Sequence, residues 1–292
     1  MIKNKTSISI YLFFLVISGL SCGKPEPQPA IEVAEVNGGN LKAAQPALQK
    51  GPCDNIFYPL ALDNQWIYQL QIEGEDGQSE ISELGLTVSE VNESSAILAA
   101  LDYDTGIVTQ STVDCKDGSI LNFPMTEMNL VFGEVSGDLQ LKYNSGVFMP
   151  SQANFEVENW TYTWETDFTA SGVINGSFDN ETVTIDLSNS SVKMSWQVIE
   201  KDVAIQVPAG NFNDVVLIKR TLTFEVSSLK TILDGEVIDI STTLILTSNM
   251  WYSPFTGLLK QEVDSATIKL YGINFPVGST GKIELKSSNT IN

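Results

Sequence analysis

From Phe57 onward the chain alternates apolar and polar positions. Trp66, Tyr68, Leu70 and Ile72 fall on one side, with Gln65, Gln69, Gln71 and Glu73 on the other. This is the period-two pattern of a half-buried strand. Glu73-Gly-Glu-Asp-Gly77 supplies a turn. Runs of the same kind recur at 81–91, 96–103, 107–115 and 119–123, then at 160–167, 182–187, 192–200, 203–207, 215–226, 237–247, 258–263 and 267–271. They are rich in Thr, Val, Ile and aromatics, which suit a pleated surface. Short turns containing Asn, Asp and Gly separate them. No window beyond the N-terminal segment has helical periodicity. The pattern predicts an all-β domain with antiparallel pairing, its sheet strongly curved into a barrel, half-barrel or cup, or doubled into a sandwich.

A weak internal echo divides this domain. Pro59…Asn64-Gln-Trp66-Ile-Tyr68 is similar to Pro150…Asn159-Trp160-Thr-Tyr162. Two meander halves, 57–145 and 146–292, would account for it, and so would chance in a chain rich in Asn and aromatics.

The first 21 residues have a different character. Lys3 and Lys5 precede an apolar run from Ile8 to Ile17, far short of the roughly 20 apolar residues of a membrane-spanning helix. The segment therefore reads as a helical export signal. Ser18-Gly-Leu-Ser-Cys22 closes it and resembles the bacterial lipobox, whose cysteine thiol is diacylated and becomes residue one after cleavage. Gly19 stands where that pattern prefers Leu. The resemblance implies lipidation at Cys22 and a membrane partner held through the acyl chains, at about 0.8 kcal/mol per buried CH₂. Gly23 rather than Asp at the next position leans toward the outer membrane or cell surface in a two-membrane host. Gly23-Lys-Pro-Glu-Pro-Gln-Pro29 then opens a tether over 22–56, semi-rigid where proline dominates. The ordered domain is expected over 57–292.

Charge narrows the function further. The chain carries 16 Lys and Arg against 36 Asp and Glu. Without Lys3 and Lys5 that becomes 14 against 36, a net charge of −22 for the processed chain. Nucleic acid is excluded as a partner, since binding it requires cations that neutralise phosphates. Asp102-Tyr-Asp104-Thr-Gly106 lacks the third acid, the sixth-place glycine and the closing glutamate of a calcium loop. There is no histidine, which removes the usual general base and the commonest transition-metal ligand. No cofactor or metal site is implied. With Cys22 assigned to lipid, Cys53 and Cys115 remain as an even pair in an oxidising compartment, either as a disulfide or as two buried thiols.

Three segments resemble a family. Phe57-Tyr-Pro-Leu-Ala-Leu-Asp-Asn-Gln-Trp66-Ile-Tyr68 resembles the "Pro-Leu…Gly-Asn-x-Trp-x-Tyr" opening of bacterial envelope proteins grouped as TapB-like. Val207-Pro-Ala-Gly210-Asn-Phe-Asn-Asp214-Val resembles their "Val-Pro-Ala-Gly-Thr-Phe-x-Asp-Val" hairpin. Trp251-Tyr-Ser-Pro254-Phe-Thr-Gly257-Leu-Leu-Lys260 resembles their "Trp-Tyr-Ala-Pro-Gly-Val-Gly-Leu-Val-Lys" turn. Asp63 and Phe255 replace glycines of that pattern, so different turns are expected there. The resemblance implies an antiparallel, strongly curved sheet and brings almost no function with it.

Three functions fit these readings. The first is a non-catalytic envelope lipoprotein, either holding an apolar or amphipathic ligand on the curved sheet or serving a structural or partner role. The second is a carbohydrate-binding surface lipoprotein, which requires several tryptophans in a row facing solvent. The third is a hydrolase using two carboxylates, although no acid sits in a distinctive motif. No catalytic residue is assigned. One ligand-binding residue is proposed, Arg220, the only arginine of the chain. It falls amid Val216, Ile218, Leu222, Phe224 and Val226 on an apolar strand face. A guanidinium there must be paired or reach water. The alternatives are a bulge that shifts the register, an arm snorkelling to the sheet edge, a structural ion pair, or a grip on an anionic ligand group.

Overall fold

The computed structural model describes residues 51, 53–73, 79–122, 139–157, 163–178, 181–233, 236–270, 273–276 and 281–291. The signal segment, the tether up to residue 50, Cys22, Trp160 and Tyr162 lie outside them. Fourteen strands form one antiparallel sheet: β1 (Gln65–Glu73), β2 (Ser79–Val91), β3 (Ser95–Asp102), β4 (Val108–Lys116), β5 (Ser119–Ile120), β6 (Leu139–Gly146), β7 (Thr163–Phe178), β8 (Glu181–Asp186), β9 (Ser190–Val207), β10 (Gly210–Leu233), β11 (Glu236–Ser253), β12 (Gly257–Leu270), β13 (Ile273–Pro276) and β14 (Gly281–Ser288). Their order is β5-β4-β3-β2-β1-β14-β12-β11-β10-β8-β7-β6, with β13 on β12 and β9 between β10 and β7. A helix, α1 (Gln152–Val157), follows β6. It is too short to register as periodicity, and it turns Phe155 into the core.

The sheet is strongly curved, and β5 at one end reaches the chain just past β6 at the other. Ile120 of β5 and Met149, three residues past β6, form an isolated antiparallel bridge. The ends thus touch without a continuous ladder between them. The concave face is lined on successive strands by Trp66 and Tyr68, Leu86 and Val88, Ala96 and Leu98, Ile283 and Leu285, Met250, Ile218 and Leu222, Met194, and Trp164 and Phe168, all buried. The alternation seen from Phe57 onward is the imprint of this single inner face.

Polar interruptions in the sequence prove to be bulges within long strands. The runs at 192–200 and 203–207 belong to one strand, β9. Its register against β10 jumps between Val203↔Val215 and Glu200↔Leu217, and Asp202 there has φ 58°. The runs at 258–263 and 267–271 likewise share β12, where the pairs Val263↔Ser248 and Ser265↔Thr247 leave Asp264 as the extra residue. A bulge of this kind bends a strand and adds twist, which long strands need to wrap a closed core. The expected halves are one sheet: β6 pairs with β7 across the expected boundary, and β1 pairs with β14 from the far end of the chain. Packing also begins ahead of Phe57, because Cys53, Asn55 and Ile56 are already buried.

Candidate functional site

The three motif segments come together at one end of the sheet. Trp66 donates its Nε1–H to the carbonyl of Thr256 at 2.6 Å, and the Tyr68 hydroxyl donates to the carbonyl of Leu258 at 3.1 Å. The amide of Phe255 donates to Ile56 O at 2.6 Å. Ser253 Oγ lies 3.3 Å from Asp214 Oδ1, and Val216 faces Tyr252 across the ladder. Aromatic side chains with a polar handle are held by carbonyls of a turn about 190 residues away in sequence. The Trp66-Ile-Tyr68 and Pro254-Phe-Thr-Gly257 segments therefore form one structural joint. Between Tyr58, Trp66, Tyr68, Leu86, Leu98 and Leu258 it leaves a cavity of about 20 Å³, room for a water molecule or two.

Both replaced glycines keep a glycine-like backbone, contrary to the expectation of different turns. Asp63 has φ 66° and Phe255 has φ 62°. Each is the third residue of a four-residue turn closed by a hydrogen bond, Asn64 N to Ala61 O at 3.1 Å and Thr256 N to Ser253 O at 3.2 Å. Pro254 presets the second position of the latter, as a type II turn requires. Gly210, beside the two-residue Pro208-Ala209 loop, has φ 140°, a positive value that glycine adopts without strain.

Arg220 sits in the interior. Its register is unbroken from Ile218 to Phe224 against β9 and from Ile218 to Val226 against β11, so no bulge turns it outward. It is 1% exposed, which rules out a snorkelling arm. Across the sheet it lies in a row, Trp164↔Trp196↔Arg220↔Ser248, spanning β7, β9, β10 and β11. The Trp164 and Trp196 rings stack at 5.8 Å and 10°. Around them Phe155 meets Trp164 edge-on at 5.4 Å, Phe148 meets Trp196 at 5.4 Å, and Phe57 meets Phe155 at 5.3 Å. Arg220 is engaged by other groups of the chain. The structure brings Arg220 and the aromatics together as a filled core rather than as the lining of an open cup.

The tryptophan row needed for sugar stacking is absent among the described residues. Trp66, Trp164 and Trp196 are buried, and Trp251 is half-covered, with Lys260 Nζ 5.2 Å from its ring centre. An open depression of about 490 Å³ at the start of β9 is lined by Asn189, Ser191, Glu225, Thr242 and Lys269 among others, with no aromatic side chain in its wall. In the loop after β3, Asp102 Oδ1 accepts the amides of Asp104 at 2.8 Å and Thr105 at 3.0 Å. That carboxylate shapes its own turn.

Cys53 and Cys115 are joined as a disulfide, with Cα atoms 5.0 Å apart and a sequence separation of 62. Beside it, sequence reasoning missed Asn55. Fully buried, it donates through Nδ2 to Gly118 O and Pro150 O, both at 2.8 Å, while its Oδ1 accepts the amide of Phe57 at 3.0 Å. Nothing in the local pattern marks it, since both carbonyls it holds lie more than 60 residues away.

No family model and no curated protein matches the chain. Among solved structures it is similar to a candidate lipoprotein from Parabacteroides distasonis, at 17% identity with a TM-score of 0.45. It is also similar to a candidate exported protein with a YmcC-like fold from Bacteroides fragilis, at 13% identity with a TM-score of 0.44. Each alignment covers 80% of this chain and 99% of the other.

Proposed function

We propose that this protein is a non-catalytic, lipid-anchored component of the bacterial cell envelope, held through Cys22, whose β-domain acts through its outer surface in a structural or protein-partner role. The observation that carries the second part is the filled interior. Trp164, Trp196, Phe148, Phe155 and Arg220 occupy the space that an enclosed ligand would need, and each is buried against its neighbours. The anchor rests on the sequence from Lys3 to Cys22 and on the proline-containing stretch after it. The TapB-like resemblance gains support from the meeting of its three motifs in one joint. The outer membrane is the favoured location because Gly23 follows the cysteine.

Native mass spectrometry of the domain freed of its anchor tests the surface reading, which expects the bare polypeptide mass. A co-purifying acidic amphiphile, lost in Arg220→Met while that variant stays folded, would overturn it and give Arg220 a ligand. Metabolic labelling with a palmitate analogue tests the anchor separately. Cys22→Ser should lose the label and release the domain from membranes, and an unlabelled, soluble wild type would remove the anchor from the proposal.

A further inference from the structure

The curved sheet is not closed into a barrel. Its interior joints are ladders of unequal length: β1 and β14 share seven residue pairs, β3 and β4 seven, and β7 and β9 eight, against three for β12 and β14 and two for β4 and β5. Among the described residues, the joint between β5 and the chain after β6 is one bridge, Ile120↔Met149, with Ser151 N donating to Ser119 Oγ beside it at 3.1 Å. Three amides serve it: Ile120 N to Met149 O at 2.8 Å, Phe148 N to Ile120 O at 2.8 Å, and Met149 N to Ile120 O at 3.1 Å.

What reinforces this seam comes from elsewhere in the chain. The segment 53–60 lies across it. Asn55 holds one carbonyl on each side, Gly118 of the β4–β5 turn and Pro150 beyond β6. Phe57 and Tyr58 pack edge-on against Phe155 and Phe148 of the far side. The disulfide fastens the start of this segment to β4. The segment has no strand partner of its own among the described residues; Asn55, the aromatic contacts, Ile56 O, Pro59 O and the sulfur link are among what holds it.

We propose that segment 53–60 is a latch, that the seam between Ile120 and Met149 is the line along which this sheet opens, and that the Cys53–Cys115 disulfide sets how readily it does so. Asn55 makes the latch specific. A buried amide with both donors and its acceptor satisfied fits one arrangement only, and leaving the two carbonyls unmet is costly. The disulfide makes the latch conditional. With the bond intact, a detached segment stays beside β4 and rebinds at high effective concentration. With the bond cut, it leaves freely. Both cysteines are buried, at 6% and 4% exposure, so a reductant reaches them only when the latch lifts. A dithiol donor would then act by exchange. Its thiolate forms a mixed disulfide with one cysteine and expels the other as a thiol. Its second thiol resolves that bond, leaving Cys53 and Cys115 as two thiols and the donor as a disulfide, with two electrons and two protons transferred. Opening uncovers Phe148, Phe155, Trp164 and Trp196, a large apolar surface in an otherwise acidic domain.

Hydrogen exchange on the folded domain, oxidised and after dithiothreitol, tests the latch. The amides of Phe57, Ile120, Phe148, Met149 and Phe255 should exchange at least tenfold faster when reduced, while those of Met194, Leu222 and Leu246 in mid-sheet keep their rates. Asn55→Ala, with the disulfide intact, should speed the same set. Uniform acceleration of all amides would mean that the bond stabilises the whole domain and the seam is not a local unit. Unchanged seam amides in both proteins would mean that the latch does not hold the seam. Either result overturns the proposal.

Discussion

Replacing Asp63 and Phe255 by glycine in turn should move stability in opposite directions. Both residues hold φ near +65°, a conformation that costs an L-residue about 1–2 kcal/mol and glycine little. The lower end applies to Asp63, since Asp tolerates this region. Against that gain stands the greater backbone entropy of glycine in the unfolded chain, roughly 0.5 kcal/mol. The Asp63 side chain is exposed, and the turn's bonds, Asp63 N to Val88 O and Asn289 Nδ2 to Asp63 O, use backbone atoms that glycine retains. Asp63→Gly should therefore stabilise by about 0.5 kcal/mol, or 1–2 °C in a domain of this size. Phe255 takes the upper end of that range, a relief of about 1.5 kcal/mol after the same entropy loss, but packs its ring on the core. Truncating a buried phenylalanine costs about 3–5 kcal/mol with the cavity it leaves, and this half-buried ring roughly half of that, so Phe255→Gly should destabilise by about 0.5–1 kcal/mol. Urea denaturation monitored by tryptophan fluorescence would measure both, with Asp63→Val as a β-branched control that lowers stability. If Asp63→Gly destabilises, or Phe255→Gly stabilises, the turn conformations assigned here are wrong.

Arg220→Met should cost about 3 kcal/mol if the guanidinium is a core anchor engaged within the chain, read as a fall in the urea midpoint. A midpoint within experimental error of wild type would show that the charge contributes nothing to the fold. Gly146→Ala should be worse tolerated than its small size suggests. A Cβ there would lie 2.1 Å from Glu165 O and 2.8 Å from Thr166 Cα, at φ 95°, so a loss of 3 kcal/mol or more is expected where β6 crosses β7. Thermal melting that differs by less than 1 kcal/mol would show that the crossing relaxes easily.

Most of the strands were legible because one face of the sheet is buried and a two-residue period survives in the sequence. The period hid where it slipped. Asp202 and Asp264 looked like loop residues because a bulge puts two residues against one and breaks the alternation. β14 was missed for another reason: Ile283 and Leu285 are its only large apolar residues, and its partner β1 lies over 200 residues away. β6 went unread as well, its polar run Lys142-Tyr-Asn-Ser-Gly carrying little alternation. At the candidate site, burial of Arg220 could be read from its neighbours at even spacing, because that depends on one strand alone. The filling of the space around it could not, since Trp164, Trp196, Phe148 and Phe155 reach it from elements distant in sequence. Asn55 was invisible for the same reason.

The disulfide also decides where a pull on the domain is felt. Tension arriving along the chain ahead of Cys53 divides at that cysteine. The stiffer branch crosses the sulfur link to Cys115 and enters β4, which is held to β3 by seven residue pairs. Load spread along such a ladder in shear must break many hydrogen bonds together. The softer branch runs through Asn55 and Phe57, where contacts would peel away one after another. With the link intact, the weak branch is bypassed, and a domain tugged from its N-terminal side stays shut. Without it, the same force is delivered first to Asn55, whose amide spans the carbonyls of Gly118 and Pro150.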